Sequence, residues 1–206
     1  MTNFFQISVW VLFFLMSVVI HEVCHGLVAG WLGDPTAKMS GRLTLNPLRH
    51  VDPFWTVLLP GLLYLSTHGR FAIGMAKPVP VDFSRLRNPK RDMIWVALAG
   101  PGANIALAAL FSFLWKFSGF ELILYGAYFN LGLAMFNLVP IPPLDGSRIA
   151  AGILPITLAR YYMKLEPIGF LIVLLAYMSG VLSYFIFPAV DFFCRVLQIP
   201  SLTGIA

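Results

Sequence analysis

Residues 21–25 have the sequence HEVCH, which places two histidines four positions apart and a glutamate directly after the first. On an α-helix, residues four positions apart lie on the same face, so His21 and His25 can bind one metal ion together. In this HExxH pattern the expected metal is zinc, and Glu22 can activate a water molecule bound to it. The spacing therefore predicts a centre for metal-assisted hydrolysis.

The residues around this motif are apolar. From Ile20 to Leu32 the apolar run is interrupted only by the two histidines and the glutamate, and we predict one long membrane span over Asn3–Leu32. Each ionisable side chain within a span costs a few kcal/mol unless it has a partner. A polar cluster that links helices, or a proton relay, is the alternative, but the HExxH spacing favours zinc.

A catalytic zinc usually has three protein ligands and one water molecule, so a third ligand is required. Asp145 is the strongest candidate because it follows an apolar stretch and lies in PIPPLDG at 140–146. Proline blocks helix continuation, and unwound backbone at membrane depth is tolerated where it is buried or lines a cavity. We predict that Asp145 turns toward the metal. Capping of the next helix is the alternative, and both roles are compatible.

These motifs together resemble the site-2 protease family of intramembrane zinc metalloproteases. The resemblance rests on HEVCH, on NLVPIPPLDG at 137–146 and on AGPGAN at 99–104, which is similar to the GxxxN element of that family. It covers roughly residues 15–150 and implies one zinc ion per chain. The implied zinc ligands are His21, His25 and Asp145, and the implied catalytic base is Glu22. The chain lacks room for a PDZ or CBS domain and resembles a minimal member.

Three further polar side chains are candidates for a place near the site. The resemblance suggests Asn104 and Asn137, which either join helices by hydrogen bonds or hold the substrate strand and stabilise the oxyanion. His50 lies in a polar run at 46–53. It is interpreted either as a gate or auxiliary ligand or, more simply, as a loop histidine with local hydrogen bonds.

Composition identifies the class of protein. Of 206 residues, 59% are hydrophobic and 11% are charged, and the mean hydropathy is +0.82. Soluble domains have about 45–50% apolar and about 25% charged residues, and disordered chains are more polar still. Two cysteines exclude a disulfide scaffold. The net charge of +5 indicates contact with an anionic membrane surface and not with nucleic acid.

The hydropathy pattern predicts an all-α polytopic membrane protein with one domain, 1–206. We divide this domain into a catalytic core at about 3–146 and C-terminal helices at 147–206, the first of them partly polar and spanning 147–164. Four full spans are predicted, at 3–32, 93–115, 120–139 and 167–190. The apolar segment 53–67 is too short for a simple span and is predicted to be re-entrant or interfacial. Short strands are predicted near the site, at 39–45, 71–75 and 78–83.

Topology and charge agree on an orientation. If 53–67 does not cross the membrane, the spans at 93–115 and 120–139 return Asp145 to the side on which the two histidines lie. Twelve of the 14 lysine and arginine residues then share that side. The positive-inside rule makes that side cytoplasmic. Small size and the lack of a targeting segment suggest a prokaryotic plasma membrane.

The predicted activity is hydrolysis of peptide bonds within transmembrane segments, either in regulated intramembrane proteolysis or in the clearance of signal peptides. The partners are then transmembrane protein substrates and the lipid bilayer, and the sequence predicts no oligomeric state. A membrane metal or proton transporter would also bury histidine and acidic residues, but such proteins usually contain internal repeats, and we find none. An inactive scaffold is a third hypothesis, although it would be expected to lack a ligand or the glutamate.

Overall fold

The computed structural model describes residues 4–66, 68 and 76–201. Within these residues the chain forms helices and irregular connections, with no strand. Two 3₁₀ helices cover Pro47–Arg49 and Phe83–Arg85, and a π-helix covers Pro53–Leu58. The α-helices are α1 (Phe4–Trp31), α2 (Thr36–Met39), α3 (Leu59–Ser66), α4 (Pro89–Ser118), α5 (Glu121–Asn137), α6 (Asp145–Ile153), α7 (Ile156–Met163), α8 (Glu166–Met178) and α9 (Val181–Val196).

Two helices in the described part of the chain are long and apolar enough to cross a membrane. They are α1, over Ser8–Trp31, and α4, over Pro89–Ser118. Helices α7 and α8 meet at a bend of 69° and would make a third crossing if they act as one span. A helix suits the bilayer interior because it pairs its backbone groups within one segment. The all-α prediction is therefore confirmed for the described residues.

The prediction of four full spans is wrong. Helix α5 has 17 residues, which at 1.5 Å per residue gives about 25 Å, less than the roughly 30 Å of bilayer hydrocarbon. The span predicted at 167–190 is divided into α8 and α9. The break lies at Gly180, whose φ of +76° is readily adopted by glycine and ends the helix. Apolar composition alone did not reveal this division.

The predicted short strands are also wrong where the structure describes them. At 39–45, the chain leaves a helical turn, and the N–H of Arg42 donates to the carbonyl of Ala37. At 78–83, two prolines lack an N–H, and the N–H of Val79 donates to a side chain instead of a neighbouring strand. The third predicted strand, at 71–75, lies outside the described residues.

Two further segments differ in detail from the prediction. The stretch at 53–67 forms the π-helix followed directly by α3, ending at Ser66, and is shorter than the roughly 20 residues of a span. Its re-entrant or interfacial placement stays a prediction. The helix expected over 147–164 is divided into α6 and α7 by Leu154 and Pro155, because proline interrupts a helix.

Helix α4 is central to the packing, since it contacts α1, α5 and α6. A buried apolar cluster joins α4, α5 and α9 and contains Ala108, Leu131, Ala134, Val190 and Cys194. Small residues allow helix backbones to approach closely, which is how helices pack tightly in an apolar solvent. This packing brings one face of α4 against the histidine motif of α1.

Candidate metal centre

Three potential metal ligands converge where α1 meets the start of α6. The Nε2 atoms of His21 and His25 are 3.0 Å apart. Oδ2 of Asp145 lies 3.1 Å from Nε2 of His21 and 3.2 Å from Nε2 of His25. Both histidines are buried, and the aspartate side chain is 19% exposed. The predicted set of three residues is therefore brought together in space, with one side open.

This arrangement fits a small divalent cation. Atoms bound to one tetrahedral zinc at about 2.0–2.2 Å lie roughly 3.3–3.6 Å apart, slightly more than the separations here. Among the described residues, no group donates a hydrogen bond to the buried Oδ2 of Asp145. The carboxylate oxygen has no hydrogen-bond donor and faces two imidazole nitrogens. One carboxylate oxygen and two imidazole nitrogens are ligands that zinc commonly has in proteins.

Asp145 is the first residue of α6, and Leu144 occupies the N-cap position without a side-chain hydrogen bond. The preceding turn at 138–144 contains a cis peptide bond between Pro142 and Pro143. Because Leu144 holds the N-cap position, Asp145 does not cap α6. Its carboxylate instead faces the two histidines of α1.

Helix α4 orients both imidazole rings. Nδ1 of His21 lies 2.6 Å from Oδ1 of Asn104, and Nδ1 of His25 lies 2.7 Å from the carbonyl oxygen of Val96. Both oxygens can only accept, so each Nδ1 donates its proton and each Nε2 presents a lone pair. Such partners fix the tautomer and the ring orientation of a ligand histidine.

Gly100 provides the space for the two rings. A Cβ atom at this position would lie 2.6 Å from His21 Nε2 and closer still to His25 Nε2. Real Cβ contacts are not that short, so a side chain here would displace the imidazoles. Val96, Gly100 and Asn104 are spaced by four residues and share one face of α4. Gly100 belongs to the AGPGAN stretch that resembles the GxxxN element, but the contacts of Gly100 and Val96 with the histidines were not predicted.

Glu22 lies beside the ligand cluster and is half-buried. Its Oε2 accepts a 2.8 Å hydrogen bond from the backbone N–H of Val79. It lines a cavity of about 520 Å³ together with the three potential ligands. The cavity is large enough for several water molecules.

The walls of this cavity are mainly apolar. They include Phe14 and Val18 of α1 and Leu133 and Phe136 of α5. Arg148 also lines the cavity, where it forms an ion pair with Glu166 and lies 5.4 Å from the centre of the Phe83 ring. An apolar cavity with a few polar groups at one end suits an apolar ligand with a polar reacting group.

The remaining predicted residues have different positions. Asn137 lines the cavity, and its Nδ2 donates to the carbonyl of Leu133 one turn earlier. Asn104 is fully buried behind His21 and is not among the residues that line the cavity. His50 lies outside the ligand cluster, and its Nε2 is 2.9 Å from the carbonyl of Thr44. The local hydrogen bond is therefore the arrangement seen for His50.

Several known proteins are similar in sequence to this chain. The model described as peptidase family M50 matches residues 115–180. The chain is 33% identical over 198 residues to the "Putative zinc metalloprotease YwhC" of Bacillus subtilis (strain 168), an alignment that covers 86% of this chain and 83% of that protein. It is 29% identical to the "Putative zinc metalloprotease Rip2" of Mycolicibacterium smegmatis, with 87% and 70% covered.

A shorter match concerns the "Putative zinc metalloprotease MJ0611" of Methanocaldococcus jannaschii, which is 44% identical over 59 residues, covering 26% of this chain and 31% of that protein. No solved structure matches the chain. The extensive similarity to YwhC and the family match together identify the family. The resemblance found in the sequence is thus confirmed, and the chain belongs to peptidase family M50, the site-2 protease family.

Proposed function

We propose that this protein is an intramembrane zinc metalloprotease that hydrolyses peptide bonds within the transmembrane segments of other membrane proteins. The convergence of His21 Nε2, His25 Nε2 and Asp145 Oδ2 at the end of a cavity is the observation on which the proposal rests. The names of the relatives as zinc metalloproteases support it. These three residues would hold one zinc ion per chain.

A bound zinc ion would polarise the scissile carbonyl and lower the pKa of a water molecule toward 7. Glu22 would take a proton from the attacking water and later return it to the leaving amine nitrogen. The N–H of Val79 holds one oxygen of this carboxylate and leaves the other available for proton transfer. Asn137 lies on the cavity wall, where its amide could contact the substrate backbone.

The cavity and the membrane helices support a proposed substrate class. A transmembrane helix pairs its peptide groups within its own backbone, so a substrate must unwind locally before it reaches Glu22. The apolar wall around Phe14, Leu133 and Phe136 suits the side chains of such a segment. Single-span or hairpin membrane proteins are the proposed substrates, among them signalling precursors and signal peptides left after secretion.

We also propose that one membrane-embedded domain, 1–206, performs this reaction near the cytoplasmic face of a prokaryotic plasma membrane, with a catalytic core at about 3–146. Nine of the 14 lysine and arginine residues lie in 32–91, which runs from the end of α1 into the first turn of α4. Basic loops are retained on the cytoplasmic side, and the histidine motif lies in the second half of α1, close to these loops.

Purified protein in detergent provides the test. The substrate probe is a single-span reporter with an epitope at each end, and metal content is measured by mass spectrometry. The wild-type chain is expected to bind one zinc ion and to cleave within the span. Glu22→Gln should retain zinc and lose about 100- to 10,000-fold in cleavage rate, because general base catalysis contributes that much. Asp145→Asn should lose both zinc and cleavage.

Glu121→Gln makes the same chemical change as Glu22→Gln, at an exposed residue that begins α5, and should behave as the wild type. Undiminished cleavage by purified Glu22→Gln would overturn the assignment. Metal-dependent flux across reconstituted vesicles without any cleavage would favour the transporter hypothesis.

A further inference from the structure

We infer that Asn130 and Ser17 are positioning residues that set the ligand tautomer of His21 by acting through Asn104. The inference rests on the proposed metal site and concerns two residues that do not touch it. All three polar side chains behind His21 are buried: Asn104 and Asn130 are 0% exposed and Ser17 is 2% exposed. They lie on α4, α5 and α1 respectively.

These side chains form one continuous hydrogen-bonded network with His21. Asn104 accepts from Nδ1 of His21 at 2.6 Å through Oδ1. Nδ2 of Asn104 donates to Oδ1 of Asn130 at 2.8 Å and to the carbonyl of Ser17 at 3.3 Å. Nδ2 of Asn130 donates to Oγ of Ser17 at 2.9 Å, and that hydroxyl donates to the carbonyl of Phe13 at 2.6 Å.

The donor and acceptor roles in this network are determined at Ser17, the last member counted from His21. A backbone carbonyl can only accept, so the hydroxyl of Ser17 donates to Phe13 and is left to accept from Asn130. Nδ2 of Asn130 also donates to the carbonyl of Gly126 at 2.9 Å, which fixes the same orientation of this amide. Oδ1 of Asn130 is then the acceptor for Asn104.

Asn104 therefore cannot reverse its amide group without loss. In the reversed orientation, its oxygen would face Oδ1 of Asn130 and the carbonyl of Ser17, and the two buried amide oxygens would have no donor. Its nitrogen would face Nδ1 of His21. The proton of His21 would then be carried on Nε2, where it would block the lone pair that a metal requires. The network excludes this tautomer.

A network that only holds helices together would have a different consequence. Loss of Asn130 would then lower the stability of the protein and leave metal affinity largely unchanged. If Asn130 acts through Asn104, its loss weakens metal binding, and that effect disappears once Asn104 has been removed. A double-mutant cycle separates the two cases because coupling between positions is measured directly.

The experiment uses the purified full chain in detergent. Zinc dissociation constants are measured by competition with a chromophoric chelator, and geometry by the visible absorption of the Co²⁺-loaded protein. Removal of an outer partner of a metal ligand typically weakens binding about 10- to 100-fold. We expect this loss for Asn104→Ala and about a tenfold loss for Asn130→Ala. The double variant should bind zinc as weakly as Asn104→Ala alone, and the Co²⁺ spectra of both single variants should shift.

Ser17→Ala is the milder variant if Asn130→Ala does not fold. It removes one acceptor and should weaken zinc binding roughly threefold, again only when Asn104 is present. Ser112→Ala is the matched control, because Ser112 is a buried serine on α4 whose hydroxyl donates to the carbonyl of Leu197, away from the metal site. Its zinc affinity should equal that of the wild type.

Two results would overturn the inference. In the first, Asn130→Ala and Ser17→Ala both bind zinc within roughly twofold of the wild-type affinity, although Asn104→Ala binds it more weakly. The other is an undiminished effect of Asn130→Ala in the Asn104→Ala background. Failure of the proposed function is separate, since a wild-type chain that binds zinc and cleaves nothing would refute the protease assignment and leave this cycle measurable.

Discussion

The backbone N–H of Val79 donates a 2.8 Å hydrogen bond to Oε2 of Glu22, which joins two residues 57 positions apart in the chain. Pro78 and Pro80 flank Val79 and have no N–H. Within 78–80, the backbone N–H of Val79 is therefore the one that can donate to Glu22. The irregular segment that holds it is further attached by Lys77, whose N–H donates to the carbonyl of His50 at 2.8 Å.

This contact predicts that Val79→Pro impairs catalysis. The substitution removes the N–H and leaves one carboxylate oxygen of Glu22 without its donor. A hydrogen bond to a charged group contributes about 1.5–3 kcal/mol, so kcat should fall roughly 10- to 100-fold. Zinc content should be unchanged, because the hydrogen bond that is lost belongs to Glu22 and not to His21, His25 or Asp145. Reporter cleavage and metal analysis on the same preparation measure both quantities.

Val79→Ala is the matched control because it shortens the side chain and retains the N–H. Val79→Ala should therefore retain most of the wild-type kcat, whereas Val79→Pro should not. Equal losses for the two variants would show that the side chain of Val79 matters and that its hydrogen bond to Glu22 does not.

Gly100 leads to a prediction about metal binding. In Gly100→Ala the new methyl group would overlap His21 and His25, and the rings would have to move apart. We expect zinc affinity to fall at least about tenfold, since the ligand orientation is lost. Gly102→Ala is the control on the same helix, because a Cβ there has no neighbour within 4 Å. Normal zinc affinity in Gly100→Ala would contradict the observed packing.

Asp34 is fully buried and connects the end of α1 to the segment that leads to α4. One carboxylate oxygen accepts from the N–H and the hydroxyl of Thr36, and the other accepts from the N–H of Asp82 at 2.7 Å. Asp34→Ala would leave these donors unpaired and should cost about 2–4 kcal/mol of unfolding free energy. Thermal unfolding in detergent measures the loss.

Asp82→Ala provides the comparison for Asp34→Ala. The carboxylate of Asp82 is 41% exposed, and its removal leaves the backbone N–H bound to Asp34. Its effect on the unfolding free energy should be clearly smaller than that of Asp34→Ala, because an exposed carboxylate is well hydrated without its partners. Similar losses for both variants would argue against Asp34 as the anchor of this segment.

The limits of sequence-based prediction are visible in particular elements. The first helix was predicted at 3–32 and observed at 4–31, because a long apolar run in lipid has few alternatives to a helix. The strands predicted at 39–45 and 78–83 were wrong because the N–H of Arg42 closes a turn onto the carbonyl of Ala37 and because the N–H of Val79 is taken by Glu22. The second contact joins residues 57 positions apart, which a pattern of alternating residues does not reveal.

The convergence of His21, His25 and Asp145 could be anticipated from local rules. Helical spacing pairs the histidines, and a run of prolines ends a helix before the aspartate. Tertiary structure alone decided what lies behind and beside them: the amide of Asn104 on His21, the space at Gly100, and the N–H of Val79 on Glu22. These contacts depend on how α1, α4 and the loop at Val79 approach each other in space. No single segment of the sequence encodes that approach, because the residues that meet lie far apart along the chain.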